Sequence, residues 1–184
     1  MSMNRALATI IAASVFSSLY AGLVGPVYPI FVLQKFSGAI TDIGLLYATF
    51  YITSAGLKLF TGRLVDKFGK VPIFLIGGSI SAACTLAYTL NFNITQLYML
   101  EILNGVAYAL QRPAFLVLLT DVTSSKKRGR QMGMFDSVDD LAGAVSSLVS
   151  VLIVASFGFQ FLFYLCSGFQ ATSGLIVLTS RKRR

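Results

Sequence analysis

The chain has 184 residues, 55% of them hydrophobic and 12% charged, with a formal net charge of +8 and a mean hydropathy of +0.76. A soluble domain of this size cannot hide so much apolar surface, so the length counts membrane spans, each of ~20 apolar residues. A nucleic-acid partner is excluded because the cations, Arg181-Lys182-Arg183-Arg184 included, gather at the ends of apolar runs rather than on one face.

Six spans fit. The first is predicted at about 6–32. Gly22, Gly25, Pro26 and Pro29 in its second half imply a bent helix, tolerated where it lines a cavity or crosses a neighbour closely. A short loop with Lys35, Ser37 and Asp42 leads to helix 2, about 43–61, where Tyr47, Tyr51, Ser54 and Lys58 share one face. Lys58 there either snorkels to the membrane surface or serves a cavity. The stretch Gly62-Arg63-Leu64-Val65-Asp66-Lys67-Phe68-Gly69-Lys70 reads as a tight basic turn at the membrane surface.

Helix 3, about 71–90, has a small-residue face of Gly77, Gly78, Ser81 and Ala82. Asn93-Ile94-Thr95 matches a glycosylation pattern, but in so short a turn Asn93 is expected to cap the next helix. Helix 4, about 96–120, aligns Glu101, Gly105, Tyr108 and Arg112 on one stripe that should face the bundle interior. Asp121 and the run Lys126-Lys127-Arg128-Gly129-Arg130 follow. Helix 5, about 132–155, places Asp136, Asp139, Asp140, Gly143, Ser147 and Ser150 opposite Val138, Leu141, Val145, Leu148 and Leu152. Helix 6, about 161–179, is mostly apolar, with Ser167 and Gln170 as polar points.

If the N-terminus is cytoplasmic, twelve of the 15 Lys and Arg lie on the inner side. That is the positive-inside pattern, with both termini in the cytoplasm. Arg112 and Asp139 or Asp140 fall at matched depths, so an ion pair between them is expected, either structural or remade during function. Glu101, Asp136, Asp139 and Asp140 outnumber their cationic partners. At least one carboxylate, with Glu101, Asp136 and Asp140 as the candidates, should therefore be able to exchange a proton. Cys84 and Cys166 sit mid-span as packing residues. The chain has no histidine, so neither a metal site nor a Ser-His-Asp triad is suggested, and no phosphate-binding loop occurs.

The turn at Gly62–Lys70 resembles the signature loop of the major facilitator superfamily, G-x-L-a-D-r-x-G-r-k. Gly62, Leu64, Asp66 and Gly69 match, Lys67 and Lys70 replace commoner arginines, and Val71 departs from the last basic position. Arg128, Gly129, Arg130 and Gly133 are similar to the family's second basic turn. The departure is Glu101, four residues before Gly105, where the family pattern places Arg. The reversed charge tilts the cavity negative and favours a cation.

The resemblance implies an all-α membrane protein of six transmembrane helices in a 3+3 inverted repeat, one half of the family fold. It implies secondary active transport of a small solute across the cytoplasmic membrane, proton-coupled in the manner of drug/proton antiporters. A proton gradient would be the energy source and no cofactor would be needed. The pathway residues would be Glu101, Arg112, Asp136, Asp139, Asp140, Tyr108, Tyr51 and Lys58. The conformational-switch loop would comprise Gly62, Arg63, Asp66, Lys67, Gly69 and Lys70. Its partners would be the bilayer, a cationic small molecule and a second six-helix half, joined covalently in a longer chain or supplied by a second copy. Two alternatives stay open: a half-size interaction module that transports nothing, and a fragment of a twelve-helix transporter. An intramembrane enzyme is a remote third.

Overall fold

The computed structural model describes the backbone of residues 3–36, 39–90 and 93–182, and their side chains except those of 3–6, 125 and 180–182. Ser37 and the terminal Arg183 and Arg184, which entered the loop and charge readings, lie outside the described residues. The described chain forms five long helices: α1 (Met3–Phe36), α2 (Ile40–Phe68), α3 (Lys70–Ala87), α4 (Ile94–Val122) and α5 (Arg128–Lys182). Short 3-10 turns, Tyr88–Leu90 and Ser125–Lys127, follow α3 and precede α5. All five helices contain a segment long and apolar enough to cross a membrane.

The helices outrun the sequence-predicted boundaries. α1 passes through Pro26 and Pro29 without interruption. α2 continues to Phe68, so most of the predicted turn is helix. The cause is the spacing of Thr61, Leu64 and Val65. Thr61 and Val65 are buried, and Leu64 packs on the same cluster, so the apolar stripe continues past the membrane-core segment. The reversal is left to Gly69, at φ 89° and ψ 152°, a conformation open to glycine but not to residues with a Cβ. Asn93 caps α4, its side chain accepting from Gln96 N at 2.9 Å.

α5 has 55 residues. Straight, it would measure ~80 Å against a hydrocarbon layer of ~30 Å. It is broken instead at Gly158 (φ 79°, ψ 175°), and its two arms run in opposite senses along α1. In the first arm, Ser147 Oγ donates to Gly22 O at 3.1 Å, while Ile153 and Val154 join the cluster around Phe31. In the second arm, Phe159 and Phe163 pack on the Phe31 ring, Phe169 on Phe16, and Ser173 Oγ donates to Ala13 O at 2.7 Å. The first arm thus parallels α1 and the second returns antiparallel. No proline or polar run marks the reversal; a single glycine makes it.

Two apolar clusters close the bundle at its ends. One gathers Leu7, Ile10, Phe74, Phe115, Leu118 and Phe135; the other gathers Leu23, Phe31, Leu46, Leu97, Leu162 and Phe163. Between them α1 presents Ser14, Ser17, Ser18 and Tyr20, which leave a polar band across the middle.

Small residues set the helix separations. A Cβ on Gly77 would lie 2.7 Å from Ala107 O and 2.9 Å from Gln111 N. A Cβ on Gly22 would run into Ser146 and lie 2.6 Å from Gly143 O. Backbones approach this closely only where glycine stands. Gly77→Val should therefore cost ~1–3 kcal/mol through overpacking. Gly44→Ala, with nothing within 4 Å of the new Cβ, should be neutral within ~0.5 kcal/mol. Thermal unfolding in detergent compares the two.

Candidate functional site

The polar band opens into a cavity of ≈ 450 Å³ bounded by all five helices. Its aromatic wall carries Tyr20, Tyr28, Tyr47, Phe50, Tyr88 and Tyr108. Its charged and carboxamide groups are Glu101, Asn104, Gln111, Arg112, Asp139 and Gln170.

Glu101 is 6% exposed, and its carboxylate is the centre of a network. Tyr28 OH donates to Glu101 Oε1 at 2.5 Å, and Tyr88 OH donates to the same oxygen at 2.7 Å. Asn104 Nδ2 in turn donates to Tyr88 OH at 2.5 Å. Tyr28 comes from α1, Tyr88 from the turn after α3, and Glu101 and Asn104 from consecutive turns of α4. One oxygen of one carboxylate thus ties three elements together. Each tyrosine supplies a polar tip on an apolar ring, so the carboxylate gains hydrogen-bond donors while the rings pack with apolar neighbours. The rings also support each other: Tyr28 lies edge-on to Tyr47 at 5.7 Å and tilted to Tyr88 at 5.8 Å.

The other predicted pathway residues divide. Tyr108, Arg112 and Asp139 line the cavity with Glu101. Lys58 does not line it, but its Nζ sits 4.3 Å from the Tyr108 ring centroid, with Arg112 near. The lysine is held by a cation–π contact. Tyr51 is 60% exposed and turned from the cavity, its ring stacked edge-on with Phe50. Asp136 and Asp140 are exposed. Asp140 lies ~100° round the helix from Asp139, which explains why adjacent aspartates face different surroundings. Among the described residues no ion pair forms between Arg112 and either Asp139 or Asp140. Arg112 is itself exposed and acts on Asp139 at longer range.

In the predicted switch loop, Gly62, Arg63, Asp66 and Lys67 are exposed on the last turns of α2. Lys70, the first residue of α3, forms an ion pair with Asp121 at the end of α4. This joins the two basic turns. Both partners are partly exposed, so the pair orients the turns more than it stabilises the fold.

Sequence reading missed Tyr28, Tyr88 and Asn104 as the partners of Glu101. The signal was present only as a buried acid needing partners; contacts 73 and 13 residues apart are not periodic. It also missed Ser14, Ser18 and Gln111 as cavity residues. Among the described residues no group of three His, Cys, Asp or Glu could hold a metal ion.

If the network holds Glu101 as described, Tyr88→Phe and Tyr28→Phe should each destabilise the fold by ~1–3 kcal/mol, the range for hydrogen bonds to charged groups. A double-mutant cycle of Tyr88→Phe with Glu101→Gln should show coupling of ~1 kcal/mol or more, read from unfolding midpoints.

Comparison with known proteins agrees with this architecture. The Major Facilitator Superfamily profile matches residues 10–184. Multidrug resistance protein 2 of Bacillus subtilis (strain 168) is 29% identical over 166 residues, which are 89% of this chain and 41% of that protein. The MFS-type transporter YitZ of the same organism is 26% identical over 159 residues, 86% of this chain and 96% of that protein. Quinolone resistance protein NorA of Staphylococcus aureus (strain MRSA252) is 27% identical over 117 residues, 64% of this chain and 30% of that protein. The chain thus spans less than half the length of the two resistance proteins and nearly all of YitZ. With its whole length past residue 9 matched and its helices apolar enough to cross a bilayer, the chain belongs to the major facilitator superfamily, whose members are integral membrane transporters and not enzymes.

Proposed function

We propose that this chain is one six-pass half of a proton-coupled transporter that moves organic cations through the Glu101 cavity. The observation that carries this reading is a buried carboxylate lining a cavity with five tyrosines in its wall. A cation entering it gains ring faces and a negative charge together, the chemistry that recognises quaternary ammonium and similar groups. The resistance proteins named above, similar to this chain, fit an efflux role.

Coupling follows from competition. A proton and an organic cation both neutralise Glu101, and low-dielectric surroundings make it unfavourable to leave the site charged and empty. Exchange of one for the other is antiport. Asp139 is the second acid in the cavity and Arg112 the cation that balances it. The exposed Asp136 and Asp140 then belong to a face that a second six-helix half covers, within a longer chain or from a second copy. The exposed apolar rows of α2 (Ile52, Leu59) and of the first arm of α5 (Leu141, Leu148, Leu152) border it. The turn holding Arg63, Asp66 and Lys67 is the switch that meets that half.

In this reading the arms of α5 are two passes, giving six helices in a 3+3 inverted repeat. The cationic turns face the cytoplasm with both termini. A cysteine placed at Asn93 should be labelled from outside the cell, and one at Lys126 only after permeabilisation, in a background lacking Cys84 and Cys166. Labelling of the Lys126 position from outside would overturn the orientation.

The transport test uses the full protein in liposomes, with tetraphenylphosphonium as solute and a pH gradient as drive. Glu101→Gln should lower gradient-driven uptake at least ~10-fold, the loss expected when a general acid–base group is removed. Asp139→Asn should give a smaller loss. Unchanged pH-driven uptake in both variants would remove these acids from coupling.

A further inference from the structure

The cavity has a second pole that the cation reading leaves unused. Gln111 of α4 and Gln170 of the second arm of α5 meet there, Gln170 Nε2 donating to Gln111 Oε1 at 2.8 Å. Gln170 is 2% exposed. Its Oε1 makes no hydrogen bond among the described residues, and neither does Gln111 Nε2. Turning both carboxamides over would keep the bond between them and again direct one donor and one acceptor outward from the pair. The hydroxyl protons of Ser173 and Ser14 are already donated to backbone carbonyls. Ser173 Oγ donates to Ala13 O and contacts Ser17 Oγ at 2.9 Å, and Ser14 Oγ donates to Ile11 O at 2.8 Å. Asp139 Oδ1, in the same cavity, also has no partner at hydrogen-bond distance among the described residues, although Ser14 and Ser18 lie beside the carboxylate. Room for the pair comes from Gly78, where a Cβ would stand 3.2 Å from Gln111 Nε2.

Buried polar groups left unpaired are rare in folded proteins and call for a cause. A mismatch of one donor and one acceptor on adjacent carboxamides has a definite chemical complement: an N–H beside a C=O. We propose that Gln111 and Gln170 form a binding subsite for a neutral amide-type group (carboxamide, lactam or urea) of the transported solute. The broad terminal torsions of the two glutamines let both carboxamides turn toward the cavity and pair with it. The subsite rests on the reading of this cavity as the solute path and narrows the solute class. Glu101 and Gln111 are ten residues apart on α4, ~15 Å of helix. A solute that engages both poles is therefore elongated, with its cationic and amide groups at opposite ends.

The test uses the full protein in lipid nanodiscs and two neutral probes, N-methyl-2-naphthamide and methyl 2-naphthoate, which differ by N–H against O. Naphthalene fluorescence excited by transfer from tyrosine reports binding, and the chain has eight tyrosines and no tryptophan. The amide should bind about 10-fold more tightly than the ester, the discrimination expected from one neutral hydrogen bond. Gln111→Met with Gln170→Met should bring the ratio to about one, the ester losing only its carbonyl hydrogen bond and still binding measurably, which also shows that the cavity is formed. Gly78→Ala, which crowds Gln111 without removing it, should weaken the amide selectively and serves if the double variant does not fold. Equal affinities in the unaltered protein, or a preference that survives the double substitution, overturn the subsite. Tetraphenylphosphonium is titrated into the same discs. If it binds and neither naphthalene probe does, the subsite falls and the cation reading stands. If the amide preference holds and tetraphenylphosphonium does not bind, the cation reading falls and the subsite stands.

Discussion

A carboxylate placed between membrane helices is tolerable only if its charge is spread or cancelled, and Glu101 meets that condition through phenolic hydroxyls. Tyr28 and Tyr88 converge on one oxygen, and Asn104 steadies Tyr88 from behind. Their rings then continue outward into the apolar cluster around Phe31 and Phe163, where Tyr88 lies 5.3 Å from Phe163 and Phe31 lies 4.9 Å from it. The polar network and the core are therefore one object. The same rings hold Glu101 and seat α1 against the elements around it.

The close packing that allows this comes from glycine seams. Lipid tails offer no hydrophobic drive for helices to associate, so contact area and backbone approach must supply it. α3 meets α4 over Gly77, α1 meets the first arm of α5 over Gly22, and α2 meets α4 over Gly105, whose Cβ would lie 2.8 Å from Phe50 O. α2 and the first arm of α5 keep their other faces open. The bundle is tight around the cavity and exposes apolar side chains along α2 and the first arm of α5.

The general fold was legible because membrane spans are written in long apolar runs. The Asn93 cap was legible because its chemistry is local. What escaped was everything decided across the chain. The partners of Glu101 lie on other elements, Gln111 and Gln170 are 59 residues apart, and neither pairing leaves a periodic trace. The end of α2 was misjudged for a related reason. Charged residues at a helix terminus look like a loop, while the stripe through Thr61, Leu64 and Val65 keeps the backbone helical.

Gly158 has a consequence for assembly. The two halves of α5 are both partners of α1, and both follow α2, α3 and α4 along the chain. The contact from Ser173 to Ala13 spans 160 residues. During synthesis α1 is inserted long before either of its main neighbours exists, and loop closure over that distance carries an entropic cost. The reversal at a single glycine lessens the cost, because the two arms enter as one preformed hairpin. α1 is packed by both arms of that hairpin, whereas its contacts with α2 and α4 are few.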